Sequence, residues 1–75
     1  MRACKSRHSG DLYEIQYVVY GTIGYLAACY RLSGYDGMPI GGLVWLPVDE
    51  FIDDDRRRVA KMIEDGSISQ RNKEK

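Results

Sequence analysis

The sequence has little of the chemistry that catalysis and metal binding require. Among its 75 residues there is one histidine, His8, and there are two cysteines, Cys4 and Cys29. A Ser-His-Asp or Cys-His arrangement needs a positioned histidine, and a structural zinc site needs four ligands. No phosphate-binding, dinucleotide-binding or zinc-protease motif occurs. We therefore expect a protein that is not an enzyme, with no catalytic residues, no bound metal and no cofactor.

The two cysteines are also too isolated to form a disulfide framework. Small secreted domains that depend on disulfides carry several bridges, and neither cysteine here belongs to a CxxC motif. Two reduced thiols in a cytoplasmic protein are the expected state, and the basic N-terminus lacks the apolar segment of a signal peptide. Because so short a chain buries little apolar surface, we expect a second copy to add stability in a homodimer.

The chain lacks a net charge as well, with 11 basic and 11 acidic residues. A general nucleic-acid binder is usually basic, so nucleic acid is a disfavoured partner. The charges are segregated, and residues 15–30 and 37–48 carry none. The first of these runs is shorter than the roughly 20 residues of a membrane helix and contains two glycines, so we expect buried strands and no membrane span.

Three segments have the composition of strands. Residues 12–20 are rich in tyrosine and β-branched residues, residues 25–32 follow after a GTIG turn, and residues 43–46 read LVWL. Gly41-Gly42 predicts a bulge or sharp bend before the third strand. These features favour an antiparallel three-stranded meander.

Alternation along the first strand separates its side chains into two faces. The face with fewer polar residues is predicted to point into the core, and it contains Tyr13, Ile15, Tyr17 and Val19. The opposite face is predicted to stay partly exposed, together with Tyr30 from the second strand. Its apolar members in the first strand are Leu12, Val18 and Tyr20.

A helix is predicted to follow Pro47. Asp49 is a suitable N-cap and Gly66 a suitable C-terminal stop. At helical spacing the apolar residues form one stripe. They are Val48, Phe51, Ile52, Val59, Met62 and Ile63.

The expected architecture is therefore α+β, in the order β-β-β-α, with the helix packed on the sheet. Residues 1–10 are expected to form a flexible basic arm. Residues 11–66 form the single domain, and residues 67–75 a polar tail.

The helix opens with the block DDDRRR, residues 53–58. Asp53 and Asp54 precede Arg57 and Arg58 by four residues, which is the favourable order for exposed ion pairs. Asp55 instead falls inside the apolar stripe. An unpaired buried carboxylate is costly, so three alternatives stay open. In the first, Asp55 pairs across the core with Arg31, Trp45 or a tyrosine hydroxyl. In the second it lies at a solvated edge of the sheet, and in the third it faces a partner chain.

Three surfaces are candidates for docking a protein. The first is the exposed sheet face with its tyrosines. The second is the glycine-framed loop 34–42, although its apolar residues could instead begin the third strand and pack inward. The third is the acidic start of the helix. The candidate residues are Tyr20 and Tyr30 on the face, Tyr35, Met38 and Ile40 in the loop, and Asp49, Glu50, Asp53, Asp54 and Asp55 in the helix.

Two functions of different classes follow. The first is a non-enzymatic protein-binding module, an inhibitor or adaptor that docks to a larger protein. A virus-encoded antagonist of host defence, similar in size to anti-CRISPR proteins, is one example by analogy. The alternative is a small nucleic-acid-binding protein whose tyrosines stack on bases. Its phosphate contacts would come from the basic arm, the basic tail and the arginines of the helix, that is Arg2, Lys5, Arg7, Arg71, Lys73, Lys75, Arg56, Arg57 and Arg58.

Overall fold

A computed structural model of the protein describes residues 3–22 and 24–72. These residues form one five-stranded sheet, a short 3-10 helix and one α-helix. The strands are β1 (Ala3–Lys5), β2 (Leu12–Gly21), β3 (Gly24–Leu32), β4 (Pro39–Pro47) and β5 (Ser69–Asn72). The 3-10 helix is Val48–Glu50 and the α-helix, α1, is Asp53–Glu64.

The sheet is antiparallel in the order β1-β2-β3-β4, and β5 pairs in parallel with β2. β1 lies beside the first part of β2 and β5 beside its second part, so together they form one edge of the sheet. The α+β class is confirmed, with the helix following the antiparallel strands. The predicted three-stranded meander corresponds to β2, β3 and β4 and is an undercount by two strands.

The two strands that the sequence does not predict lie in the first and last segments of the chain. Instead of a flexible arm, residues 3–5 pair with β2, and Cys4 is fully buried. Instead of a polar tail throughout, residues 69–72 pair with β2, and Ile68 beside them is 1% exposed. Both strands are too short to show alternation, so only their tertiary partners identify them.

A β-bulge changes which side chains of β2 face the core. The pairing with β3 shifts between Ile15 and Tyr17, which reverses the alternation beyond that point. Ile15 is buried as predicted, but Val18 follows it into the core. Tyr17 and Val19, predicted to be core residues, lie on the opposite face.

The helix begins later than predicted because the backbone of residues 50–52 pairs with that of residues 5–7. Ile52 N–H donates to the Lys5 carbonyl at 3.0 Å, and Arg7 N–H donates to the Glu50 carbonyl at 2.8 Å. Ile52, in extended geometry, is the N-cap instead of Asp49, which belongs to the 3-10 helix. The predicted end is confirmed by Gly66, which has a positive φ of 83°.

The core lies between α1 and one face of the sheet. Because directly paired residues share a face, the face that α1 covers is defined by the buried pairs Ile15–Cys29 and Val18–Ala27. The predicted stripe contributes Phe51 and Val59 as fully buried residues. The buried cluster consists of Cys4, Ile15, Val18, Ala27, Cys29, Phe51, Val59 and Ile68.

Candidate functional site

The sheet face opposite α1 is apolar and largely uncovered. Register and alternation place on it Leu12 and Tyr30, as predicted, and Tyr17, which the bulge turns away from the core. We call this surface the open face. Its large apolar side chains, all exposed or half-buried, are Leu12, Tyr17, Val19, Leu26, Tyr30, Leu32, Leu43 and Trp45, and the charged residues Lys5 and Glu14 share this face. An apolar surface of this kind on a small protein usually marks an interaction site.

An aromatic row crosses the open face. Tyr17, Ala28 and Trp45 are register partners on three neighbouring strands. The Tyr17 and Trp45 rings meet edge to face at 5.7 Å, while the Arg71 guanidinium lies 3.9 Å from the centre of the Tyr17 ring. Ala28 is fully buried although it is on this face, because it lies between the two ring-bearing positions. Trp45 remains 48% exposed and is the most prominent side chain of the row.

The β4 strand is apolar and exposed on both of its faces. Leu43 and Trp45 lie on the open face, whereas Ile40 and Val44 lie on the face that α1 packs against. Even so, Ile40 is 44% and Val44 is 38% exposed. The beginning of α1 is bonded to β1, at the opposite edge of the sheet from β4, through contacts described below. β4 therefore receives little cover from the helix.

The loop before β4 presents its apolar side chains on a hydrogen-bonded frame. The Ser33 hydroxyl accepts from the backbone N–H of Tyr35 at 3.1 Å, and Ser33 N–H donates to the Met38 carbonyl at 2.8 Å. Asp36 Oδ1 accepts from Met38 N–H at 3.1 Å. Tyr35 is 97% and Met38 is 61% exposed. The inward-packing alternative is wrong for this loop, and Ile40 begins β4 without packing inward.

The DDDRRR block forms three ion pairs at a spacing of three residues instead of the expected four. The two outer pairs are exposed and have the small energies typical of surface ion pairs. The third pair is partly buried. The pairs are Asp53 with Arg56, Asp54 with Arg57, and Asp55 with Arg58. The acidic start of the helix is therefore a mixed-charge surface and not a purely negative one.

Asp55 fastens α1 to β1. Its Oδ2 accepts from Lys5 N–H at 2.8 Å and its Oδ1 accepts from Arg58 Nη2 at 2.6 Å. The same Arg58 nitrogen donates to the Ala3 carbonyl at 2.6 Å. Burial alone would raise the pKa of Asp55, but the hydrogen bonds from Arg58 and Lys5 outweigh burial and lower this pKa. None of the partners expected from the sequence bonds to Asp55. Its partners contact or belong to β1, a strand that the sequence does not predict.

The remaining acidic candidates lie around the 3-10 helix. Asp49 is exposed and lies 3.6 Å from Arg56, while Glu50 lies 3.5 Å from His8. Tyr20 is exposed too, but on the helix side, where its ring meets Tyr25 at 5.0 Å. Tyr20 therefore does not belong to the open face, although the sequence predicts it there.

The candidate phosphate-binding residues do not form a bare basic surface. Lys5 and Arg7 are exposed, whereas the three arginines of residues 56–58 each pair with an aspartate. Arg2, Lys73 and Lys75 lie outside the described residues. Because an arginine paired with an aspartate has less positive charge to offer phosphate, this arrangement weakens the nucleic-acid alternative.

The described residues offer no metal site or membrane-spanning helix. Over residues 3–22 and 24–72, no group of three or more histidine, cysteine or acidic residues is placed to hold a metal ion. Within the same ranges, no helix is both long and apolar enough to span a membrane. Burial raises the pKa of each thiol, Cys4 and Cys29, to about 11, which keeps both protonated at neutral pH.

No protein-family model, curated protein or solved structure matches the chain. The fold and the site define a small α+β protein with one covered and one uncovered sheet face. Sequence reasoning missed Tyr17, Leu43 and Trp45 as members of the candidate site, and it assigned Arg71 only to the basic tail of the nucleic-acid alternative. The signal that pointed towards two of them was the uncharged run 37–48, which is unusually apolar for the outermost strand of a sheet.

Proposed function

We propose that the protein is a non-enzymatic protein-binding module that docks to a larger protein through the open face and the loop before β4. The observation that supports this most strongly is the distribution of exposed apolar side chains. Among the described residues, eight large apolar side chains are exposed, and six of them lie between Tyr35 and Trp45. Two of these six, Ile40 and Val44, lie on the helix side, and the other four belong to the loop or to the open face. Scattered exposed apolar residues are ordinary, but such a group is typical of an interaction surface.

The chemistry of the surface suits a protein partner. Tyrosine and tryptophan dominate the energetics of protein interfaces because they bring a large and stiff contact area with a polar tip. Trp45 is the more exposed aromatic residue of the row on this surface, with Tyr17 supporting its ring. The loop adds Tyr35 on a hydrogen-bonded turn, which reduces the entropy lost when the side chain is fixed. A module that binds without catalysis acts as an inhibitor or adaptor, and an antagonist of host defence is one such role.

The test is an affinity comparison between variants on the two sheet faces. A partner captured from the lysate of the source cells is titrated calorimetrically with the wild type, with Trp45→Ser and with Tyr20→Ser. Trp45→Ser is expected to weaken binding by at least about tenfold, since truncating a central aromatic residue typically costs more than 1 kcal/mol.

Tyr20→Ser is the matched control, because Tyr20 is 53% exposed but lies on the helix side. Its affinity is expected to equal that of the wild type. Circular dichroism establishes that both variants are folded. Equal affinities for all three proteins would contradict docking through the open face.

One observation favours the alternative function. Arg71, Tyr17 and Trp45 together resemble the combination of a cation and stacking aromatics that holds single-stranded nucleic acid. A mobility-shift assay with single-stranded and double-stranded DNA and RNA at low salt separates the two functions. Our proposal predicts no shift even at high micromolar protein, whereas a shift abolished by Tyr17→Ser and by higher salt would favour nucleic-acid binding.

A further inference from the structure

The two edges of the sheet are built very differently. The edge formed by β1 and β5 consists of strands of three and four residues, and it carries Lys5 and Arg71. Short strands and basic side chains are the usual means by which proteins prevent unwanted pairing at a sheet edge. The other edge, β4, has nine residues and no charge. Within the described part of the chain, β4 pairs with β3 alone.

The side chains of β4 are those of an interior strand. A strand covered on both faces is apolar on both faces, whereas a strand at a solvated edge usually alternates with polar residues. In β4 the apolar residues Val44 and Leu46 on one face alternate with Leu43 and Trp45 on the other. An uncharged strand with two apolar faces and an unpaired edge is a ready template for one more strand.

We propose that the additional strand is β4 of a second copy of this chain, paired antiparallel across a two-fold axis. The axis is perpendicular to the sheet and passes midway between Val44 and its copy. Val44 then lies opposite its own copy, and Leu43 lies opposite the copy of Trp45. The result is one continuous sheet that contains the five described strands of each protomer.

The register follows from symmetry and from the ends of the strand. A perpendicular two-fold axis keeps each face on its own side, so only residues of the same face can be paired. Gly41 has a positive φ of 71°, and the pairing of β4 with β3 shifts at this point. Pro47 has no N–H to donate. These features confine regular pairing to Leu43–Leu46. An axis at Val44 and an axis at Trp45 would each pair three residues of this segment, and we choose Val44 because Trp45 then faces the smaller Leu43 instead of a second indole ring.

The absence of charge supports a second copy as the occupant. The chain has no net charge, so two copies do not repel each other over a distance. Residues 37–48 carry no charge either, so this edge offers nothing to a strongly charged partner and brings no like charges together in a symmetric pair. Leu43 opposite the Trp45 copy brings two apolar side chains into contact and removes both from water.

The dimer is separate from the proposed docking function but compatible with it. Since the axis keeps both copies of α1 on one side, the two open faces join into a single surface on the other side. Docking to a larger protein uses that surface, whereas dimerisation uses the strand edge. The two proposals are therefore tested by different measurements.

Sedimentation equilibrium tests the dimer and its axis together. The wild type is expected to show twice the monomer mass at micromolar concentration. Val44→Lys and Val44→Glu, measured alone, each place two like charges at the axis and are expected to weaken dimerisation by at least about tenfold. An equimolar mixture of the two variants places opposite charges there and is expected to recover the dimer.

Recovery in the mixture also shows that both variants are folded, so a loss of dimer cannot be attributed to unfolding. Ala60→Lys, at an exposed site on α1, is the control and is expected to dimerise as the wild type does. A wild type that is monomeric up to high micromolar concentration would overturn the proposal. Dimers that persist in Val44→Lys would also overturn it and would indicate association through the open faces instead.

Discussion

At the residue scale, Asp55 shows how one carboxylate connects distant parts of the chain. It stands three residues before Arg58 on α1, and both residues contact the backbone of β1. The side chain of Asp55 is 14% exposed, compared with 86% for Asp54 one position earlier. Helical spacing alone indicates that Asp55 lies on the inner side of the helix. It does not identify the partners, because they belong to a strand that the sequence does not reveal.

Replacing Asp55 by alanine is expected to lower the free energy of unfolding by about 1–3 kcal/mol, the range for losing a charge-assisted hydrogen bond that is partly buried. The Lys5 N–H and the Arg58 guanidinium both lose an acceptor in this variant. Urea unfolding followed by circular dichroism measures the change.

Asp54→Ala is the matched control, since Asp54 has the same ion-pair spacing and first-turn position without a contact to β1 in the described residues. It is expected to change the stability very little. Equal stability losses in the two variants would show that the contact with β1 contributes nothing.

The stability of the protein is also expected to depend on pH through Asp55. The pKa of Asp55 is lower in the folded protein than its ordinary value, so the unfolded chain binds more protons in acid. The stabilisation is therefore complete well above the unfolded carboxyl pKa of about 3.9 and is lost as the pH falls through the folded pKa.

Urea unfolding of the wild type and of Asp55→Asn at a series of pH values from about 6 to about 2 tests this dependence. The Asn variant is expected to lose less stability over the acid range, although Asp53 and Asp65 keep part of the slope because their pKa values are lowered too. Parallel curves for the two proteins would contradict the assignment.

At the element scale, the bulge in β2 separates what the sequence predicts from what only the structure shows. The composition of residues 12–20 correctly indicates a strand, and Ile15 correctly indicates its inner face. The shift between Ile15 and Tyr17 cannot be read from the sequence, because no glycine or proline marks it. By contrast, Gly41-Gly42 does mark the bulge in β4, and this prediction is confirmed.

The end of α1 depends on the backbone conformation of Gly66. Its φ of 83° is a left-handed value that disfavours side chains, and an added Cβ would meet no atom within 4 Å. Gly66→Ala is therefore expected to destabilise the protein by about 1–2 kcal/mol through conformation alone. Thermal unfolding measures the change.

Gly34→Ala is the control, because Gly34 also has open space around it and does not have a positive φ. It is expected to leave the stability unchanged or slightly raised, since alanine reduces the entropy of the unfolded chain. A comparable loss in both variants would mean that the left-handed conformation is not what terminates the helix.

At the scale of the whole molecule, the sequence predicts the centre of the fold better than its periphery. Strands β2, β3 and β4 and the end of α1 follow from composition and turn residues. β1 and β5 do not, because strands of three and four residues are stabilised by their neighbours and not by their own pattern. The same holds for the candidate site, since the exposure of Val44 depends on where α1 is attached and the position of Tyr17 depends on the bulge in β2.

The whole molecule thus has one sheet face closed by α1, one open aromatic face and one uncharged apolar edge. The closed face provides the stability of the fold. We propose the open face for docking to a larger protein and the edge for pairing of two copies. Both proposed surfaces draw on residues 35–46, so both proposals concentrate on the segment that combines the loop with β4.

The central claim is that the outer edge of β4 pairs with a second copy, and amide hydrogen exchange tests it most directly. In a dimer, the outward-facing amides within Leu43–Leu46 are hydrogen-bonded, so their exchange is expected to quicken on dilution while that of Cys29 in β3 stays constant. Exchange rates within Leu43–Leu46 that are fast and independent of protein concentration would contradict the claim.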